Sequence, residues 1–159
     1  MSVDIDLFGN AEINSEQIIK TLKPFGSVQL IKKSKNILIL SINGIKVDFV
    51  NYSYPLLKPI KTIEGIRLIS KEDIAAMKLN AIGGRGCKKD FIDLYFLLKE
   101  FSFSELLTFY NAKYSDGSEF LVRKSLMYFD DADLETSPQM IEPKNWEEIK
   151  KDIIKTALN

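Results

Sequence analysis

Ser2-Val3-Asp4-Ile5-Asp6-Leu7-Phe8 opens the sequence with apolar residues that alternate with two acids. A period of two residues is typical of a β-strand with one apolar and one polar face. Asp4 and Asp6 are therefore predicted to lie on the same face of one strand. Two carboxylates held this close repel each other, and a hard divalent cation such as Mg²⁺ between them would relieve that repulsion. The stretch thus predicts a strand that carries a metal site.

A hairpin is predicted in the middle of the first half of the chain. Residues 37–42 and 45–52 are rich in apolar and β-branched side chains, and Asn43-Gly44 separates them. This dipeptide between two apolar runs is typical of a tight β-hairpin turn. The two runs should therefore pair as antiparallel strands.

A third acid, Asp48, lies inside the return strand of this hairpin. If the opening strand lies beside the hairpin, Asp4, Asp6 and Asp48 can point to one face of the sheet. Three such carboxylates could bind Mg²⁺ or Mn²⁺, activate a hydroxyl group and hold a triphosphate. The alternative is a solvated strand surface, because Asp-x-Asp also occurs by chance.

Composition narrows the classes of function. Of the 159 residues, 45% are hydrophobic and 28% charged, and the net charge is zero, so any nucleic-acid site must be a local patch. The absence of histidine excludes Ser-His and Cys-His nucleophiles and histidine-bound zinc. The single cysteine, Cys87, excludes an internal disulfide. No apolar run is long enough to span a membrane and no signal peptide is apparent, so we expect a cytoplasmic protein without membrane contact.

The predicted fold class is α+β. A mixed sheet with flanking helices is expected over residues 1–69, including a helix that begins at Asn14 or Ser15 and one short strand within 62–69. From the helix cap at Ser70 onward the pattern is helical, which gives predicted domains of 1–69 and 70–159. Glycines at 83, 84 and 86 are expected to interrupt the first of these helices around Arg85, with a second helix from about Lys88. The acids Asp130, Asp131 and Asp133 are expected to form a solvated turn.

Charged residues in the helical half could contact phosphates. Lys78 interrupts an apolar helix face, where it is either a snorkelling side chain or an ammonium group for a triphosphate. Arg85 and Lys89 could touch phosphate, with Asp93 orienting one of those side chains or a hydroxyl group. The alternative is an exposed helix start, where acids suit the positive end of the helix dipole.

Several stretches, taken together and in order, resemble the AbiEii/AbiGii-type toxin nucleotidyltransferases. The most specific is Lys89-Asp90-Phe91-Ile92-Asp93-Leu94-Tyr95. The others are the opening strand, Val47-Asp48-Phe49, Ala76-Met77-Lys78-Leu79-Asn80-Ala81-Ile82 with Arg85, and the closing segments 128–133 and 146–149. The resemblance covers nearly the whole chain.

This resemblance implies a minimal nucleotidyltransferase fold. Asp4, Asp6 and Asp48 match the metal-binding acids, and Asp48 is also the candidate base. Lys78 matches a lysine that touches the phosphates of a bound NTP, and Asp93 an acid near the same site; Ser2, Arg85 and Lys89 complete the expected nucleotide contacts. Members that resemble this chain are toxins of toxin–antitoxin or phage-defence pairs, which implies an NTP substrate, an acceptor such as tRNA and a cognate antitoxin.

One departure from the family pattern shapes the expectation. Such enzymes carry a Gly-Gly or Gly-Ser turn roughly ten residues before the paired acids, where backbone amides cradle phosphates. This sequence starts at Met1 without that turn, so we expect metal binding more than full activity, and exposed apolar surface that favours self-association. The alternatives are a non-catalytic remnant that acts as a binding or regulatory partner, and a helix-based nucleic-acid binder that uses Arg85, Lys88 and Lys89.

Overall fold

A computed structural model describes residues 4–158 of the chain. They form two compact units, Met1–Ser53 and Tyr54–Asn159, and each is described by itself. The first contains a mixed sheet with a helix, and the second contains a small hairpin followed by helices. The predicted fold class, α+β with a mixed sheet, flanking helices and a helical C-terminal half, is confirmed.

The first unit is built on a four-stranded sheet. Its elements are β1 (Ile5–Gly9), α1 (Ser15–Leu22), a 3-10 turn (Lys23–Phe25), β2 (Val28–Lys33), β3 (Ile37–Ile42) and β4 (Ile45–Asn51). The strand order is β1-β4-β3-β2, with β3 antiparallel to both neighbours and β1 parallel to β4. Leu38, Leu40 and Val47 are buried at its centre. The predicted hairpin is therefore present, with the acidic strand beside it.

The hairpin turn depends on Asn43 and Gly44, whose φ angles of 51° and 84° lie in the left-handed region. Glycine adopts this region freely and asparagine more easily than most residues. The Asn43 side chain also accepts a hydrogen bond from the Ser27 amide at 2.9 Å and donates one to the Phe25 carbonyl at 3.2 Å. Asn43 thereby joins the turn to the start of β2.

Replacing Asn43 with Ala should lower the free energy of unfolding by about 2 kcal/mol, because the variant loses two hydrogen bonds and strains a left-handed backbone. Asn43→Gly removes the same hydrogen bonds without that strain, so it should recover part of the loss. Urea denaturation of the three proteins measures both effects. Equal stability of Asn43→Ala and the wild type would contradict this role of the turn.

The second unit begins with a two-stranded hairpin and continues as helices. Its elements are β5 (Lys61–Ile63), β6 (Ile66–Leu68), α2 (Lys71–Gly84), α3 (Lys88–Leu97), α4 (Phe103–Lys113), α5 (Glu119–Ser125), α6 (Asp130–Asp133) and α7 (Trp146–Leu158). Phe91, Leu79, Leu94, Leu106 and Ile149 are fully buried in the core of this unit. The predicted interruption around Arg85 is present, because α2 ends at Gly84 and α3 begins at Lys88. Two other details were predicted wrongly: β5 and β6 replace one strand, and α6 replaces a turn.

A buried ion pair joins α2 to α4. Lys113 Nζ lies 2.7 Å from Asp73 Oδ1, and both side chains are almost completely buried. Asp73 also accepts hydrogen bonds from the Ser70 hydroxyl and the Leu57 amide. Burial alone would raise the pKa of Asp73, but the hydrogen bond from Lys113, with the other two, holds this pKa below its ordinary value. Asp73 is therefore an ionised group inside the second unit.

Among the helices of residues 4–158, none combines the length and the apolar character needed to cross a bilayer.

The predicted domains, 1–69 and 70–159, stay a prediction, because a division by packing does not show which segments fold independently.

Candidate functional site

The three predicted acids of the first unit lie on one face of the pair β1–β4. The parallel register places Ile5 opposite Val47 and Asp6 opposite Asp48. Side chains alternate between the faces of a strand and opposed residues share a face, so Asp4 and Asp6 lie on the same side as Asp48. We call the patch formed by Asp4, Asp6, Lys46 and Asp48 the acid face. Its geometry follows from the two alternating sequences and their register.

Lys46 lies among these carboxylates. It precedes Asp48 by two residues on β4, and its Nζ lies 2.9 Å from Asp48 Oδ2 and 3.9 Å from Asp4 Oδ2. The hydrogen bond with Asp48 raises the pKa of Lys46, and the charges of Asp4 and Asp6 act in the same direction. Lys46 is therefore a cation at neutral pH. The acid face carries three carboxylates against this one ammonium group.

The donor set of the acid face fits a hard divalent cation. Carboxylate oxygens are the ligands that Mg²⁺ and Mn²⁺ prefer in proteins. Asp48 Oδ1 is buried and accepts no hydrogen bond, which leaves a charged oxygen for a further ligand. In the arrangement of residues 4–158, however, no three His, Cys, Asp or Glu side chains form a metal cage. The assignment of Asp4, Asp6 and Asp48 as metal ligands stays a prediction, and it requires that Lys46 make room.

A second charged cluster lies in the second unit and is centred on Asp90. This carboxylate, fully buried in the first turn of α3, contacts Lys78 Nζ at 3.0 Å and Arg85 Nε at 3.0 Å. Lys78 also lies 2.6 Å from Asp93 Oδ2. Three of the predicted nucleotide contacts thus belong to one cluster: Asp90 pairs with Lys78 and Arg85, and Lys78 pairs with Asp93. Lys89 is exposed on the same helix.

Lys78 is held as a cation in this cluster. Burial alone would lower its pKa, but the hydrogen bond with Asp93 and the charge of Asp90 raise that pKa above its usual value. Its side chain is only 23% exposed, so the ion pairs, and not snorkelling, explain how a lysine fits on this helix. Arg85 is more than half exposed and can meet an anion. The cluster therefore presents two oriented cations, which suit phosphate oxygens.

Replacing Asp90 with Asn should lower the free energy of unfolding by about 2–3 kcal/mol, because hydrogen bonds between charged groups are lost and two cations lose their buried partner. Asp93→Asn is the matched control: Asp93 is half exposed, so its loss should cost less than about 1 kcal/mol. Urea denaturation of the two variants gives the comparison. An Asp90→Asn variant as stable as Asp93→Asn would contradict the central role of Asp90.

Two residues of these clusters were not predicted as site residues. Lys46 could have been found, because it precedes Asp48 by the two residues that place both on one strand face. Asp90 was placed in the charged cluster, but its contact with Lys78 joins two helices and has no local signal. The predicted nucleotide contact Ser2 lies outside the described residues.

Comparison with known proteins identifies relatives in sequence and in fold. The chain is 38% identical over 156 residues to the uncharacterized protein aq_aa25 of Aquifex aeolicus, an alignment that covers 94% of this chain and 75% of the relative. No protein-family model matches the sequence.

Two solved structures of Helicobacter pylori proteins share the fold. One of these proteins has been provisionally described as a nucleotidyltransferase. Its structure matches with a TM-score of 0.56 and 19% identity, and the match covers 99% of this chain and 77% of that chain. The other protein is JHP933. Its structure matches with a TM-score of 0.55 and 19% identity, and the match covers 99% of this chain and 75% of that chain. At this identity the likeness shows a shared fold.

Proposed function

Because the chain belongs to the same family as protein aq_aa25 of Aquifex aeolicus and shares its fold with a protein provisionally described as a nucleotidyltransferase, we propose that it is a metal-dependent nucleotidyltransferase. The observation that carries the proposal is the register of β1 on β4, which places Asp6 opposite Asp48 on the face that also bears Asp4. Paired acids on one strand and a third on its neighbour are the donor set that metal-assisted phosphoryl chemistry uses. The fold and this donor set support the same chemistry.

In the proposed reaction, the hydroxyl group of an acceptor attacks the α-phosphorus of an NTP. A new bond forms between that oxygen and phosphorus, the bond to the bridging oxygen breaks, and pyrophosphate leaves. Asp48 accepts the proton of the attacking hydroxyl. Asp4, Asp6 and Asp48 would hold Mg²⁺ or Mn²⁺, which when bound neutralises phosphate charge and lowers the pKa of the hydroxyl.

The cations of the second unit suit the phosphate groups of such a substrate. Lys78 is held as an ammonium group by Asp90 and Asp93, and Arg85 is oriented by Asp90. Fixed cations stabilise the charge that develops on the phosphate oxygens in the transition state. Lys78, Arg85 and Lys89 are therefore the proposed phosphate contacts, with Asp93 as a positioning residue.

The resemblance to AbiEii/AbiGii-type toxins adds the finer part of the proposal. We infer a cytoplasmic toxin of the toxin–antitoxin or phage-defence class, which transfers the nucleotide to an RNA acceptor such as tRNA and is neutralised by a cognate antitoxin. The exposed Ile5 and Leu7 of β1 support self-association as a further proposal, since exposed apolar side chains favour contacts between protein chains.

The test is direct transfer. The protein is incubated with Mg²⁺, a tRNA pool and each of the four NTPs labelled at the α-phosphate, and labelled RNA is separated on a denaturing gel. We expect label to enter RNA with at least one NTP, and Asp6→Asn to abolish it. Metal-dependent NTP binding without transfer would favour a non-catalytic binding protein. If the folded protein shows no NTP binding and no transfer, the proposal is contradicted.

A further inference from the structure

The acid face already holds a positive charge. Lys46 Nζ contacts Asp48 Oδ2 at 2.9 Å and Asp4 Oδ2 at 3.9 Å, and Asp6 lies opposite Asp48 in the neighbouring strand. An ammonium group thus occupies the space between carboxylates that the proposed reaction assigns to a divalent cation. Lysine and metal would compete for the same oxygen atoms.

The exposure and flexibility of Lys46 suit its displacement by a metal ion. Its side chain is 39% exposed and ends in a compact charge on a flexible four-carbon stem. Ion pairs with this much solvent contact are weak, so a doubly charged ion can replace the ammonium group at small cost. The unpartnered oxygen Asp48 Oδ1 shows that the lysine does not saturate the carboxylate next to it.

We propose that Lys46 is an internal counterion, which holds the acid face together in the metal-free protein and is displaced from it when a divalent cation binds. This inference rests on the metal site of the proposed function. It assigns Lys46 a role as a positioning residue that sets the affinity for metal. The wild-type protein therefore binds metal more weakly than its three carboxylates alone would allow.

Isothermal titration with Mn²⁺ alone tests the inference on the full chain. Lys46→Met should bind Mn²⁺ about two- to fivefold more tightly than the wild type, the change expected when a competing exposed ion pair is removed. Lys33→Met is the matched control: it also removes one positive charge from an exposed position of the sheet, but from the opposite face, because Lys33 pairs with Leu38 whereas Asp48 pairs with Ile39. Its Mn²⁺ affinity should equal that of the wild type.

Thermal denaturation adds a readout other than affinity. Without metal, Lys46→Met should have a lower Tm than the wild type, because the carboxylates lose their counterion. Saturating Mn²⁺ should raise the Tm of this variant more than that of the wild type. A merely structural role for Lys46 would lower the Tm without tightening the binding of Mn²⁺.

The outcomes separate this inference from the proposed function. Wild-type binding of Mn²⁺ together with equal or weaker binding by Lys46→Met would overturn the counterion role and leave the metal site intact. Absence of Mn²⁺ binding in both proteins would overturn the metal site, and the counterion role with it. If Lys46→Met does not fold, Lys46→Arg decides: its bidentate contact with a carboxylate should weaken Mn²⁺ binding, and unchanged binding would overturn the role.

Discussion

Replacing Asp48 with Asn should lower the rate of nucleotidyl transfer by about 100- to 1000-fold, because several kcal/mol of transition-state stabilisation depend on the bound metal. The change removes the carboxylate that faces Asp6 and, in the proposed reaction, the group that accepts the proton of the hydroxyl. The rate is measured with saturating Mg²⁺ and an NTP labelled at the α-phosphate. Titration of the same variant with Mn²⁺ should show that metal binding is lost.

Two controls make this result specific. Glu12→Gln removes a negative charge from an exposed position of the same unit, outside the acid face, and should leave the rate unchanged. The free energy of unfolding of Asp48→Asn should differ from that of the wild type by less than about 1 kcal/mol, because its partner Lys46 is well exposed. Wild-type activity in a folded Asp48→Asn variant would remove Asp48 from the mechanism.

The largest effect on stability is expected for the buried ion pair of the second unit. Replacing Lys113 with Met should lower the free energy of unfolding by about 3–5 kcal/mol, because Asp73 would remain as a buried charge without its partner. Lys71→Met is the matched control. Lys71 lies 2.6 Å from Glu100, but both side chains are exposed, so its loss should cost less than about 1 kcal/mol. Urea denaturation at pH 7 compares the variants.

The pH dependence of stability gives an independent check on the same pair. The folded-state pKa of Asp73 lies below the ordinary value that this group has in the unfolded chain, so the unfolded chain binds its proton first as the solution is acidified. The stabilisation from Asp73 is therefore complete above the unfolded-state pKa. It is lost as the pH falls through the lowered, folded-state pKa. In Lys113→Met burial would dominate and raise the pKa of Asp73, so acidification should narrow the difference in stability between this variant and the wild type. The same slope in both proteins would contradict the role of Lys113.

The sheet of the first unit could be predicted because its signals are local. Alternation in β1 and β4 and the Asn43-Gly44 turn depend on residues close together in sequence, and together they locate Asp4, Asp6 and Asp48 on one face. The hairpin of β5 and β6 was missed, because each strand has three residues and its turn uses Glu64 at a positive φ of 51°. Gly65, at a φ of 80°, is a turn signal, but Glu64 stands where Asn or Asp would strengthen it.

The helical half shows why local signals are insufficient. Two glycines near the end of α2 predict an interruption, which is present because α2 ends at Gly84, but both glycines still belong to its last turn. Gly83 lies close to Val122 of α5, and such packing between helices outweighs the low helix propensity of glycine. The same holds for the charged cluster: Lys78 and Asp90 belong to different helices, and only tertiary structure brings their side chains together.

The parallel attachment of β1 has a consequence for the order of folding. β3 and β4 pair across a two-residue turn, whereas β1 pairs with β4 only after the long intervening segment has folded back. All five residues of β1 are also exposed. Closing so long a loop is slow, and an exposed edge strand is among the first segments to open in a native protein. Asp4 and Asp6 should thus join Asp48 last. We expect amide hydrogens of β1 to exchange with solvent sooner than those of β3 and β4.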